Sequence, residues 1–95
     1  MISMQSTVTA APNQVSSELG DEVVILDLRS GVYHGLSRVG AFAWSLIQNP
    51  SLVAGVCDRI VAEYEVAPDR CQADLLALLG ELKDKGLIEC VPCAA

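Results

Sequence analysis

The sequence predicts a small α+β domain of the winged helix-turn-helix type, a three-stranded antiparallel sheet followed by three helices. Three observations lead there. Residues 14–36 break into three short strand-like runs separated by Gly20-Asp21 and Ser30-Gly31. Residues 38–85 carry three apolar stripes at helical spacing, divided by Asn49-Pro50 and by a stretch ending at Pro68. The chain has 95 residues, 52% of them apolar, enough for one domain with a modest core and too few for a deep enzyme active site.

Residues 1–13 are rich in Ser, Thr, Ala and Gln and end in Pro12-Asn13. They read as a flexible N-terminal tail or a poorly ordered strand. Residues 14–19 set Val15, Ser17 and Leu19 against Gln14, Ser16 and Glu18, the period of a half-buried strand. Residues 22–28 are nearly all apolar and β-branched at first, which predicts a central strand covered on both faces. Ser30-Gly31 supplies a second turn, and residues 32–36 form a third strand. In a meander the middle strand has two neighbours, so this third strand is left at one edge.

The first helix spans roughly 38–48, with Ser37 expected as its N-cap. Val39, Phe42, Ala43, Leu46 and Ile47 repeat on one face, and Asn49-Pro50 ends it. Ser51 is the expected cap of a second helix whose stripe is Leu52, Val53, Val56, Ile60 and Tyr64. The third helix runs from about 68 to 85, with Pro68 in its first turn, where a missing N–H is harmless. Its stripe of Leu75, Leu76, Leu78, Leu79 and Leu82 is wider than one interface needs. Gly86 fits the residue after a helix end, with Leu87 folding back on Leu82 in a Schellman-type stop. Residues 90–95 read as a C-terminal tail.

Composition excludes several functions. The net charge is −6 with only six Lys and Arg, a poor match to phosphate backbones or anionic membranes. The third helix offers Asp69, Asp74, Glu81 and Asp84 against Arg70, Lys83 and Lys85, so a winged-helix DNA regulator, the rival reading of this architecture, lacks its basic recognition helix. No stretch has the ~18 apolar residues of a membrane span, and the N-terminus lacks the pattern of a signal peptide. A cytoplasmic protein with reduced cysteines is expected.

Candidate reactive groups are few. His34 is the single histidine, and on an edge strand it reads as a solvated side chain. Cys90-x-x-Cys93 lies in the tail without a second ligand pair, so neither a metal nor a redox role is assigned to it, and no cofactor is expected. Cys57 and Cys71 read as small core residues, and Trp44 reads as core. Tyr33 either lines a groove or packs on the sheet, because alternation alone does not assign its face.

The chain resembles the PqqD-like family, the precursor-peptide recognition elements. The residues that carry this are Leu26-Asp27, the spaced set Gly31, Tyr33, Leu36, Gly40 and Trp44, then Ser51, Tyr64, Asp74 and Leu82 with Gly86-Leu87. The likeness covers residues 14–89, and Ser37 departs from the Asn common there. It implies a non-catalytic module in which the leader of a ribosomally made precursor adds as a strand to the third strand, its side chains entering the cleft beside the third helix. On this sequence the resemblance points to Leu28, Val32, Tyr33, His34 and Gly35 on the strand side. On the helix side, helical repeat puts Cys71, Asp74 or Leu75, Leu78 and Leu82 towards the cleft. Leucines lining such a groove would account for the wide stripe. The implied partners are a leader peptidase and a macrolactam synthetase of a lasso-peptide pathway, or else a radical enzyme of pyrroloquinoline quinone synthesis. Monomers or weak dimers are expected, because an open edge can pair with itself.

Overall fold

Two antiparallel sheets flank three helices. The structure, a computed structural model, describes residues 2–91. In chain order the elements are β1 (Thr7–Ala10), β2 (Gln14–Leu19), β3 (Glu22–Asp27), β4 (Tyr33–Ser37), α1 (Val39–Leu46), β5 (Ser51–Leu52), α2 (Val53–Tyr64), α3 (Pro68–Asp84) and β6 (Ile88–Val91). One sheet has the order β2-β3-β4 and the other β5-β1-β6.

The first sheet is the expected meander. Gly31 turns the chain from β3 into β4 with φ +72°, a conformation that glycine adopts without steric cost. Register pairs Val23 with Leu36, Ile25 with His34 and Leu26 with Tyr33. Val23, Ile25 and Asp27 are buried while Val24 and Leu26 are half-buried. The expectation of a strand covered on both faces is therefore corrected. The helices lie on one face, and the β-branched run of β3 reflects its place between two strands.

The second sheet was not foreseen. Thr7–Ala10, placed by sequence in a flexible tail, forms its central strand, and Val8 is fully buried. Its partners are distant in sequence: Val8 pairs with Ser51 on one side and with Cys90 on the other. Cys90 and Val91 thus belong to β6, whereas Cys93 lies outside the described residues.

Two helix starts also differ from expectation. Ser37 ends β4, and Arg38 occupies the cap position of α1 at φ +52° with no side-chain cap bond. Its amide instead donates to the Asp21 carbonyl at 2.9 Å. Ser51 does not cap α2, because its hydroxyl donates to the carbonyls of Leu46 and Asn49. The first amides of α2, on Val53 and Ala54, donate to the carbonyls of Ser6 and Met4. The segment before β1 thus satisfies donors that a helix start leaves open. Leu52, expected in the α2 core stripe, is 48% exposed.

The end of α3 follows expectation. Gly86 has φ +74°, its amide donates to the Lys83 carbonyl, and the Leu87 amide donates to the Leu82 carbonyl. That bond pair is the Schellman stop. The core joins Ile25, Ile47, Ile60, Leu79 and Leu87, each almost fully buried. Trp44 is 2% exposed, and its indole N–H donates to the Ser16 hydroxyl at 3.2 Å, so the core assignment holds.

Candidate functional site

The site is built from the free side of β4 and the face of α3 opposite it. In the β2-β3-β4 sheet, β4 pairs with β3 alone, so one side of its backbone is open to another strand. Beside it lies a cavity of about 370 Å³ lined by Gly35, Leu36, Ser37, Val39 and Gly40, and across from them by Arg70, Cys71, Asp74, Leu75 and Leu78. Ile60 of α2 and Val66, between α2 and α3, complete the lining.

Local sequence sets this geometry. Asp27 anchors the turn before β4: its carbonyl accepts from the Gly31 amide at 2.8 Å and its amide donates to the Val32 carbonyl at 3.0 Å. The Arg29 amide donates to its carboxylate at 2.9 Å. That bond holds the Asp27 carboxyl below its ordinary value of 3.8, with burial opposing and Ser30 and the Arg29 charge assisting. Arg29 then reaches from the turn to the end of α3, where its Nη2 donates to the Gly86 carbonyl at 3.4 Å. The turn, and β4 after it, is thereby tied to the C-terminal end of the helix that forms the opposite wall.

Register assigns the β4 side chains. Leu36 and His34 lie opposite the buried Val23 and Ile25, on the helix-facing side. Tyr33 lies opposite Leu26, and Leu26 opposite Val15, on the other face. Tyr33 is 68% exposed. The question left open by alternation is thus resolved: Tyr33 faces away from the cavity.

Of the residues expected on the strand side, Gly35 lines the cavity, while Leu28, Val32, Tyr33 and His34 do not. Leu28 and Val32 flank the turn and are about half exposed. On the helix side, Cys71, Asp74, Leu75 and Leu78 line the cavity, but Leu82 is buried in the core at 4% exposure. Leu78 is half-buried and lines the cavity, Leu75 both lines the cavity and belongs to the core at 3% exposure, and Leu82 lies in the core without lining the cavity. Sequence reasoning did not name the other lining residues as part of the site: Leu36, Ser37, Val39, Gly40, Ile60, Val66 and Arg70. The i, i+4, i+8 spacing of Arg70, Asp74 and Leu78 was a signal that could have placed Arg70.

The mouth is polar and the floor apolar. Arg70 and Asp74 form an ion pair at 3.6 Å, both largely exposed, a contact of small energetic weight. Deeper in, Cys71 is 5% exposed and its Sγ lies 3.5 Å from Sγ of Cys57 on α2. Burial first, then the neighbouring Cys57, pushes the Cys71 thiol up from 9.0 to about 11. Among the described residues no three His, Cys, Asp or Glu side chains gather to hold a metal ion. Nor is any helix among them long and apolar enough to cross a membrane.

The family of coenzyme PQQ synthesis protein D (PqqD) matches residues 22–88, which include β3, β4, the three helices and the start of β6. The chain belongs to the PqqD family. Two solved structures share its fold. One is TbiB1 in complex with the TbiA(beta) leader peptide, 35% identical with a TM-score of 0.82, covering 90% of this chain and 99% of that one. The other is a lasso peptide synthetase B1 complexed with the leader peptide, 27% identical with a TM-score of 0.76, covering 90% of this chain and 98% of that one. No curated protein matches the chain. It is a PqqD-like recognition element of α+β fold, with an open strand, β4, beside an apolar cleft shared with α3.

Proposed function

We propose that this chain is a non-catalytic module that binds the leader segment of a ribosomally synthesised precursor peptide by strand addition to β4. One observation carries the reading: the unpaired side of β4 runs beside the cavity it shares with α3. In this mode backbone pairing supplies affinity and pockets for alternate side chains supply selectivity. β4 has five residues, so it pairs with a leader segment of about five, two or three of whose side chains face α3. The apolar floor takes uncharged side chains, and the Arg70–Asp74 pair at the mouth meets polar ones. Both similar structures are complexes with a leader peptide, which supports leader binding here.

The pathway we assign is lasso-peptide biosynthesis in the cytoplasm. The chain would hold the leader while a leader peptidase cuts it and a macrolactam synthetase closes the ring, those enzymes supplying all the chemistry. The lasso assignment rests on the likeness to the lasso peptide synthetase B1 structure. The residues proposed to contact the leader are Gly35 and Leu36 on β4, with Cys71, Asp74, Leu75 and Leu78 on α3.

Fluorescence polarisation with the leader of the precursor encoded beside this chain tests the reading. The expected Kd runs from tens of nanomolar to about 1 μM. Leu78→Glu, which puts a charge on the apolar wall, is expected to weaken binding at least tenfold, about 1.4 kcal/mol or more. A folded wild-type protein that shows no binding at tens of micromolar, roughly 6 kcal/mol of affinity, refutes the proposal. Acceleration of leader cleavage on mixing with the neighbouring peptidase tests the handover separately.

A further inference from the structure

Cys57 and Cys71 are the two buried thiols of the described residues, and the leader reading gives neither of them a chemical role. They sit on different helices, α2 and α3, with their sulfurs 3.5 Å apart and the Cys71 sulfur 3.9 Å from the Cys57 carbonyl. A disulfide holds its sulfurs at about 2.05 Å. The gap to close is therefore about 1.5 Å, within reach of small adjustments at both side chains. Access is asymmetric. Cys57 is 4% exposed and lines none of the described cavities, whereas Cys71 forms part of the floor of the cavity beside β4. A reagent therefore meets Cys71 first and meets it from inside the groove.

We propose that Cys57 and Cys71 form an oxidisable dithiol entered through the leader groove, so that a bound leader shields it and an empty groove exposes it. The occupant of the groove in this inference rests on the function proposed above. The oxidant is a small uncharged acceptor of two electrons, such as an azo compound or a disulfide. Its first step joins Cys71 Sγ to the oxidant as the thiol proton leaves. Cys57 Sγ then displaces the reduced oxidant, forming the Cys57–Cys71 bond and giving up its own proton. In total two thiols lose two protons and two electrons, and the acceptor takes up both pairs. The product ties α2 to α3 and draws the Cys71 sulfur back from the groove floor.

Burial makes this pair slow. With the Cys71 thiol pushed up to about 11, little thiolate exists at neutral pH, and the thiolate is the attacking form. Attack by Cys71 therefore quickens as pH rises.

The test treats the protein with azodicarboxamide (diamide) at mildly alkaline pH, with Cys90→Ser and Cys93→Ala removing the other thiols. Intact mass follows the loss of two hydrogens, and peptide mapping places the bond. A fluorescent leader in the same tube reports occupancy by polarisation. The expected result is a Cys57–Cys71 disulfide in the leader-free protein. At a leader concentration about tenfold above its Kd, formation should slow about tenfold, because only the empty fraction reacts. Cys57→Ser should abolish the bond, and mapping of the otherwise native chain covers the case where that variant fails to fold. Absence of the bond under conditions that oxidise the urea-unfolded chain overturns the dithiol. Equal rates with the leader demonstrably bound overturn the shielding while leaving leader recognition intact. No polarisation change at any leader concentration overturns leader recognition, and the shielding with it.

Discussion

Changing Gly40 separates folding from binding. Gly40 opens the first turn of α1 and forms cavity wall between Leu36 and Leu78. A Cβ there would lie 3.6 Å from Leu36 Cβ and 3.7 Å from both Leu36 Cδ2 and Leu78 Cδ2, the separation of favourable carbon contacts. Gly40→Ala therefore fits, and by narrowing the unfolded ensemble it should stabilise by about 0.4–1 kcal/mol. For a domain of this size that raises Tm by roughly 2–8 °C. Gly40→Leu carries three further carbons into the cavity, where a leader side chain is proposed to sit. Losing one buried apolar anchor costs about 1.5–3 kcal/mol, so Kd should rise roughly 10- to 150-fold. Thermal melts and leader polarisation on the same preparations give both quantities. Gly40→Leu with native Tm and native Kd would show that the leader does not enter this cavity. A Gly40→Ala protein melting several degrees lower would show that the space beside Leu36 and Leu78 is not there.

Three other changes test the frame around the groove. Leu79 is fully buried, so Leu79→Ala should cost about 2–5 kcal/mol in urea denaturation, and a loss well under that would contradict its place in the core. At Gly86 an added Cβ meets both a left-handed φ of +74° and the Arg29 guanidinium. Gly86→Ala should cost at least about 1–2 kcal/mol and also weaken leader binding by releasing Arg29. The Asp27 carboxyl sits below its ordinary value in the folded state. Its stabilising contribution is present above about pH 4, the unfolded pKa, and is lost as pH falls through the lower folded value. Asp27→Asn should flatten that acid limb of the stability curve, and an unchanged acid limb would show that the Arg29 amide does not favour the charged form.

Local features were the most legible in sequence. β2 occupies residues 14–19 as expected, but Val15 and Leu19 are exposed, so the half-buried face read from its alternation is corrected: that side of the sheet carries no helix. α3 starts at Pro68 and stops at Gly86 because both residues act within one turn of themselves. The edge position of β4 followed from meander topology. What stayed hidden depends on groups distant in the chain. β1 is defined by partners at Ser51–Leu52 and Ile88–Val91, and four residues reading TVTA carry no signal of either. The cap of α2 misled because the backbone carbonyls of Ser6 and Met4 took the amides of Val53 and Ala54 that Ser51 was expected to hold, and that of α1 because Ser37 is drawn into β4. Within the candidate site, Cys71, Asp74, Leu75 and Leu78 of the expected helix face line the cavity. Helical spacing placed Leu82 wrongly, because one helix face slides from groove to core along its length.

The pairing of β1 with β6 brings opposite ends of the chain together, Val8 beside Cys90 and Ala10 beside Ile88. During synthesis β1 therefore waits for its place, since its ladder with β6 needs residues made only after all three helices. Until then the carbonyls of Met4 and Ser6 are not held against the start of α2. Truncation after Leu87 would thus act far from the cut: it would free β1, unseat Val8, and leave the first amides of α2 to water.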